Sequence, residues 1–396
     1  MDFRLTPEQE KMRKEFDDFF RGLMKEAPAD WEAGSESIYA TDEGYAFHRK
    51  AGRLLGQKGW LTHAWPKKYG GQERSQVEQM IFNEVRGYWG APGVDGFSIG
   101  MLAPTLLEFG TDEQKKEHLP PIARGERFYC QGWSEPNAGS DLAALTCKAV
   151  EDGDDYVLNG QKIWTSGAHR ADWMFTVART DPNLPRHRGI SYFILDMKTK
   201  GVTVRGIPDM GGFHMFNEVF LDDVRVPKKN MIGEKNRGWY VTLATMNFER
   251  SGVGRFAEQK HTLEELVEFC KETKSNGGTL AQNPLVRHRL AQLAIEVEAG
   301  RSLAYRVAWM QWKGTAAAAE ASASKVYGSE LGQRISYVGS QIMGLYGQLK
   351  TGSKYAPLQG KFERVYQACI GSNIAAGTSE IQRNIIAIRG LDLPRI

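Results

Sequence analysis

The chain has 396 residues, with 51 Lys and Arg against 48 Asp and Glu and a formal net charge of +3. Charge so nearly balanced points to neither a nucleic-acid nor a membrane partner, and the length suffices for two or three domains with a substantial core. The charged opening MDFRLTPEQEKMRKEF reads as no signal peptide and no apolar run approaches transmembrane length; Cys130, Cys147, Cys270 and Cys369 lie far apart without metal-ligand spacing, which fits free thiols in a reducing cytosol.

Thr6 is a candidate N-cap, with Pro7 at the first helical position and Gln9 closing a capping box. Phe16, Phe19, Phe20 and Leu23 follow at helical spacing. Further helix is expected through Phe47–Lys58 and Gln76–Tyr88. Thr111-Asp112-Glu113-Gln114 is a second capping box, opening a short helix expected to stop at Leu119-Pro120-Pro121. Residues 1–127 therefore read as an all-helical domain.

From Phe128 the period changes. Tyr156–Leu158, Trp173–Ala178, Ile190–Asp196, Val202–Arg205 and Glu218–Val226 are short β-branched or aromatic runs between turn residues. Asn159-Gly160 predicts a type I′ turn joining Tyr156–Leu158 to Lys162–Trp164, and Asp222-Asp223 predicts a strand-end turn. Residues 128–238 form the expected β domain. Helical patterns return at Leu263–Cys270, Leu285–Trp312, Ala316–Leu345 and Tyr355–Ser372, so 239–396 read as a helical bundle. The run Ala316–Ser324 would let helices approach closely, or simply reflects high helix propensity.

There is no G-x-G-x-x-G or P-loop motif to support a Rossmann site. His63, His118, His214, His261 and His288 show no ligand spacing, so no metal is expected. The chemistry concentrates in Phe128–Trp173. Gln131–Asp141 joins an indole, hydroxyls and a turn-forming run, and Trp164 leads into Thr165-Ser166-Gly167. These groups suit a flat ligand with polar edges. A lone Trp164 is more often core, but the surrounding hydroxyls favour a binding role.

CQGWSEPNAGSD followed by NGQKIWTSGAHRADW resembles the two flavin-binding segments of the acyl-CoA dehydrogenases, and the resemblance runs in order from TPEQ to GTSEIQRNIIAIRG. It implies an α+β multidomain fold: an N-terminal all-α domain, a central β-barrel-like domain and a C-terminal four-helix bundle that forms the tetramer core. It also implies FAD as cofactor and an acyl-CoA as substrate. A base removes the α-proton, hydride passes from the β-carbon to flavin N5, and electrons leave to an electron-transfer flavoprotein. Gln131, Trp133 and Ser134 match positions at the pyrimidine edge of the flavin, Trp164 the indole beside the ring, and Ser166 the hydroxyl near N5. Ser140 matches the thioester–pantetheine path. Gly377, Thr378, Glu380 and Gln341 fall at further cofactor positions; the basic C-terminal stretch reads as helix surface rather than a phosphate site, although Arg250 or Arg383 could meet CoA phosphates.

Two departures carry information. Many family members have their catalytic glutamate directly before the Gly-Thr of the last helix, where this chain has Ala376. A second branch places it earlier, in the context that Asn247-Phe248-Glu249-Arg250 matches, which makes Glu249 the expected base. Its alternative is an ordinary solvated helical glutamate. The small Ala375 and Ala376 leave room for a bulky, branched, cyclic or dicarboxylic acyl group. Secondly, the Arg-x-x-Phe-Gly run that a neighbouring subunit supplies in many members is missing, and Gln341-Ile342-Met343-Gly344-Leu345 has Leu for a second Gly. The resemblance thus allows a homotetramer or an α2β2 heterotetramer with a related chain. It also leaves room for a non-catalytic subunit, or for an oxidase or desulfinase on the same fold.

Overall fold

The computed structural model describes residues 4–28, 31, 38–39, 41–246, 252–275 and 277–395. The chain forms two compact units, one of residues 1–26, 75–91 and 250–396, the other of residues 27–74 and 92–249.

The first unit is helical. Helix α1 (Pro7–Met24) starts with the expected capping box, Thr6 Oγ1 accepting from Gln9 N at 3.3 Å while Gln9 Oε1 accepts from Thr6 N at 2.9 Å. Two phenylalanines of its apolar face, Phe16 and Phe20, pack on Phe82. In the same unit lie Gln76–Tyr88, Val253–Glu272, Pro284–Trp312, Ala318–Met343, Lys361–Ile374 and Ser379–Ile385. Phe256, Leu266, Val297, Leu331, Ile335 and Phe362 form the core that the four longer C-terminal helices share. Close approach depends on glycine: a Cβ at Gly339 would stand 2.1 Å from the Phe362 ring, and one at Gly300 would stand 2.1 Å from Phe256.

The second unit is built on an eight-stranded sheet: β1 (Tyr129–Gly132), β2 (Lys148–Asp152), β3 (Asp155–Lys162), β4 (Trp173–Arg179), β5 (Ile190–Asp196), β6 (Val202–Ile207), β7 (Phe216–Pro227) and β8 (Met231–Ile232). The order is β6-β7-β3-β2-β4-β5-β8, with β1 parallel beside β4. Both faces of the central strands are covered, so β5 reads as an almost unbroken apolar run. One face carries Phe175, Val177, Tyr192 and Ile194 against Leu102, Leu106, Leu119 and Ile122. The other carries Met174, Phe193 and Leu195 against Leu158, Val219 and Leu221 of β3 and β7. The sheet therefore curls until its own strands cover it, the barrel-like arrangement.

Three sequence expectations need correction. Asn159-Gly160 is not a hairpin turn: β3 runs straight through it, and the turn is Gly153-Asp154, between the paired Asp152 and Asp155. Gly153 supplies the positive φ of +58° that such a turn requires. Asp222-Asp223 does not end a strand but makes a bulge within β7, where Asn159 Nδ2 donates to Asp223 Oδ1 at 2.9 Å and Asp223 N donates to Asn159 Oδ1 at 2.9 Å. Lastly, the helix Asp112–Ala123 continues through Pro120 and Pro121. Each proline forfeits one bond to the carbonyl four residues back, but Leu119 and Ile122 gain full burial. No helix among the described residues is long and apolar enough to cross a membrane.

His118 sits in this unit, fully buried, with its Nδ1 2.7 Å from the Tyr129 hydroxyl and its ring edge-on to Trp173. Burial, aided by Arg127 and Lys229 and opposed by Glu117, pushes its pKa from 6.5 down to about 4. Between those values the unfolded chain binds a proton that the folded chain refuses, so stability falls as pH drops through that window. His118→Gln is expected to flatten the slope, as read by urea denaturation at pH 7 and pH 4.5.

Candidate active site

The two flavin-like segments are adjacent in the sheet unit. Ile163 N donates to Ser134 O at 2.9 Å, which joins the end of β3 to the loop after β1. Beneath that joint lies a buried ion pair, with Lys162 fully buried and Glu135 6% exposed. Lys162 Nζ donates to Glu135 Oε1 (2.8 Å), Val177 O (2.8 Å) and Trp133 O (3.4 Å). Glu135 also accepts from Thr146 N (2.6 Å), Thr146 Oγ1 (2.9 Å) and Cys147 N (3.0 Å). Burial alone would raise the Glu135 carboxyl, but the Lys162 ammonium and the two amides hold it below the ordinary carboxylate range. Both charges are thus paired and hydrogen-bonded, the condition under which a buried pair is tolerated.

Above the pair, Trp164 has φ +58° and is 57% exposed. A left-handed conformation is rare for a bulky residue and signals a constraint imposed by the surroundings. Phe216 meets its indole edge-on at 5.8 Å. Trp133 is placed differently: it is core, packed on Phe175 and Tyr192, and only its N–H is left over. Trp133 Nε1 and Thr165 Oγ1 are buried with no hydrogen-bond partner among the described residues. A large exposed aromatic face fits a planar heteroaromatic group such as FAD, which would cover the indole, and the two orphaned donors lie in the same two segments. Gln131 and Ser166 are half-buried in the same segments, and Ser140 is exposed on the loop that follows.

In the helical unit, Ala376 (φ +55°) and Gly377 (φ +81°) turn the chain into the helix Ser379–Ile385. Thr378 Oγ1 caps it, accepting from Ile381 N at 3.2 Å, and Gln382 Nε2 donates back to Ala376 O at 3.0 Å. The Ser379 hydroxyl is buried without a partner among the described residues. Glu380 is exposed, and its own backbone N–H and Thr378 hold its carboxyl below the usual value. That shift is opposite to what a base in a water-poor pocket requires. Gln341 is exposed near the end of the helix Ala318–Met343, followed by Leu345, which is 84% exposed. Glu249 and Arg250 lie outside the described residues. A polar groove of about 550 Å³ between Lys116, Arg124, Arg127 and Trp173 contains none of the expected site residues.

Sequence reasoning missed Glu135, Lys162 and Asn217. The last is fully buried beneath the Thr165 backbone. No local signal marked them, since Lys162 follows Gln161 at the polar end of β3.

A chain that presents an exposed indole, orphaned buried donors and a curled sheet between helical segments has the features of a flavin-dependent oxidoreductase. Comparison with known proteins narrows the class. The acyl-CoA dehydrogenase N-terminal, middle and C-terminal domain models match residues 6–126, 130–224 and 236–391. The chain is 37% identical over 397 residues to acyl-CoA dehydrogenase FadE26 of Mycobacterium tuberculosis, covering 98% of each. Among solved structures it is similar to the Tcur3481-Tcur3483 steroid ACAD, with a TM-score of 0.91, 32% identity and 100% of both chains covered. It is also similar to the ChsE4-ChsE5 complex of M. tuberculosis, with a TM-score of 0.89, 37% identity and 100% of both covered. The chain belongs to the acyl-CoA dehydrogenase family, oxidoreductases that act on the CH–CH group of acyl-CoA and depend on FAD.

Proposed function

We propose that this chain forms the α,β-double bond of a bulky acyl-CoA thioester, with Glu249 as the base that takes the α-proton. The observation that carries this reading is Ala376: the residue before the Gly377–Thr378 cap bears no carboxylate, and Glu380 beyond it is exposed and held ionised. Glu249 is then the carboxylate at the position the second branch of the family uses. As the α C–H bond breaks, its proton goes to the Glu249 carboxylate, and the electron pair forms the double bond as the β-hydrogen departs with its own pair. FAD, when bound, supplies the acceptor for that hydride. On the sheet unit, Trp164 carries the ring face, and Ser166, Gln131 and Ser134 supply polar groups at its edge. Ser140 is read as a thioester-path contact, and Arg250 as a partner for CoA phosphate.

The substrate class follows from volume. Ala375 and Ala376 are both exposed and methyl-sized, and a similar solved enzyme is described as a steroid ACAD. Branched or ring-bearing acyl-CoAs are expected to turn over at least about tenfold faster, in kcat/KM, than straight-chain ones, a difference of about 1.4 kcal/mol in transition-state binding. Steady-state assays across a panel of acyl-CoAs check this, and turnover of straight chains alone overturns it.

We also propose assembly with a related chain as α2β2, with domain limits near 127 and 238. Two similar solved structures are named for two chains each. Leu345, Tyr346 and Tyr337 stand 84%, 59% and 53% exposed on the helical unit, apolar surface of the kind that marks an interface. FAD content of the singly expressed chain decides: full occupancy in a stable homotetramer removes the need for a second chain. Trp164→Ala is expected to weaken FAD binding about tenfold, since stacking on an aromatic face is worth about 1–2 kcal/mol. Equilibrium dialysis against free FAD reads the change.

A further inference from the structure

Trp164 is held in a conformation that it would not choose, so something must hold it there. The residues that follow it are gripped by Asn217, at the start of β7, and by Met215 just before it. Asn217 is fully buried, and its Nδ2 donates to Thr165 O at 2.9 Å and to Met215 O at 3.2 Å. Its backbone carbonyl accepts from Thr165 N at 3.0 Å, while Met215 O accepts from Gly167 N at 2.9 Å. Thr165 is thereby fixed at both its N–H and its C=O, between two left-handed residues, Trp164 at φ +58° and Gly167 at +68°.

The two carbonyls define which way the Asn217 amide faces, because only the NH2 group can donate to both. Oδ1 is then an acceptor, and His214 Nε2 donates to it at 2.8 Å. His169 stacks on His214 with ring centroids 4.0 Å apart and planes 18° from parallel. Burial first, then His214 and Arg170, pushes His169 down to about 4, so the stacked ring is neutral near pH 7. Two histidines from different segments therefore back up one buried amide.

We propose that Asn217, oriented by His214, is a positioning residue that holds Trp164 and Ser166 in register against the flavin. It acts through the backbone and touches neither cofactor nor substrate. The role rests on the reading of Trp164 as a flavin contact, so the test includes a variant that probes that reading separately.

The experiment compares Asn217→Asp, His214→Leu, His214→Gln and Trp164→Ala in the assembled, FAD-loaded protein. The readouts are the FAD dissociation constant, visible circular dichroism of the bound flavin, and kcat and KM measured separately. Aspartate keeps the volume of Asn217 but cannot donate to either carbonyl. Asn217→Asp is expected to weaken FAD at least about tenfold, to change the visible dichroism, and to lower kcat more than it changes KM for acyl-CoA. Glutamine places an N–H near the position of His214 Nε2, so His214→Gln should stay within about twofold of the parent, while His214→Leu weakens FAD about threefold or more. Wild-type affinity and dichroism in Asn217→Asp overturn the proposal. If that variant does not fold, equal behaviour of His214→Leu and His214→Gln overturns it, and a gap between them supports it. Unchanged FAD binding in Trp164→Ala overturns instead the flavin-contact reading beneath it.

Discussion

Lys162→Met is expected to destabilise the protein by about 3–5 kcal/mol, because it leaves the Glu135 carboxylate buried without its counter-charge. The two residues sit at 0% and 6% exposure, under the joint between the segments that present Trp133 and Trp164. Methionine has nearly the volume of the lysine stem, so the loss reflects the charge and three donated hydrogen bonds rather than a cavity. Replacing both partners, as Lys162→Met with Glu135→Leu, is expected to recover part of the loss, since an uncharged pair leaves no ion stranded. The recovery stays incomplete because Thr146 N and Cys147 N lose their acceptor. The pair also sets a pH dependence. The Glu135 carboxyl is held below its unfolded value, so its contribution is complete above the ordinary carboxylate pKa and is lost as pH falls through the depressed one. Urea titrations of the single and double variants at pH 7 and pH 3 measure both effects. Equal midpoints for wild type and Lys162→Met would show that the pair contributes nothing.

Glu249→Gln is expected to lower kcat about 10²- to 10⁴-fold, the usual worth of a positioned general base. Glutamine has the shape of the acid but no basic oxygen of comparable strength, so KM for acyl-CoA should change little and the bound flavin should keep its spectrum. Glu380→Gln should lower kcat less than about threefold, because an exposed carboxylate at the start of a helix contributes chiefly through the dipole. Steady-state assays with one branched acyl-CoA separate the two positions. Comparable losses in both would remove Glu249 from its assigned role.

The helical boundaries were legible wherever a side chain closed the helix itself, as Thr6 with Gln9 and Thr111 with Gln114 do. The strand Ile190–Asp196 was equally plain, because a strand covered on both faces announces itself as an apolar run. Local signals misled where tertiary pairing decided the outcome. Asn159-Gly160 carries the strongest short-range turn signature, yet the amide of Asn159 is needed by the bulge at Asp223, and Gly160 passes so close to Cys147 that a Cβ would stand 2.7 Å from its Cα. Gly153-Asp154, six residues earlier in the chain, makes the turn instead. The short strands β1 and β8 escaped notice because each depends on a neighbour distant in sequence, β1 on β4 and β8 on β5.

At the site, the exposed Trp164 was legible from its polar company, while the burial of Trp133 in the core was not. The supporting residues were not legible, since burial of Lys162 and Asn217 follows from the curl of the sheet rather than from any local pattern. The departure at Ala376 was legible in the sequence itself, while the left-handed backbone there and the Thr378 cap that follows were not.

Proton removal from the α-carbon can be separated from hydride transfer by anaerobic mixing of the FAD-loaded protein with a branched acyl-CoA while the oxidised-flavin band is followed. Wild type is expected to bleach rapidly, and Glu249→Gln to bind the same thioester yet keep its oxidised band over that interval. Bleaching of Glu249→Gln at the wild-type rate would contradict the assignment of the base.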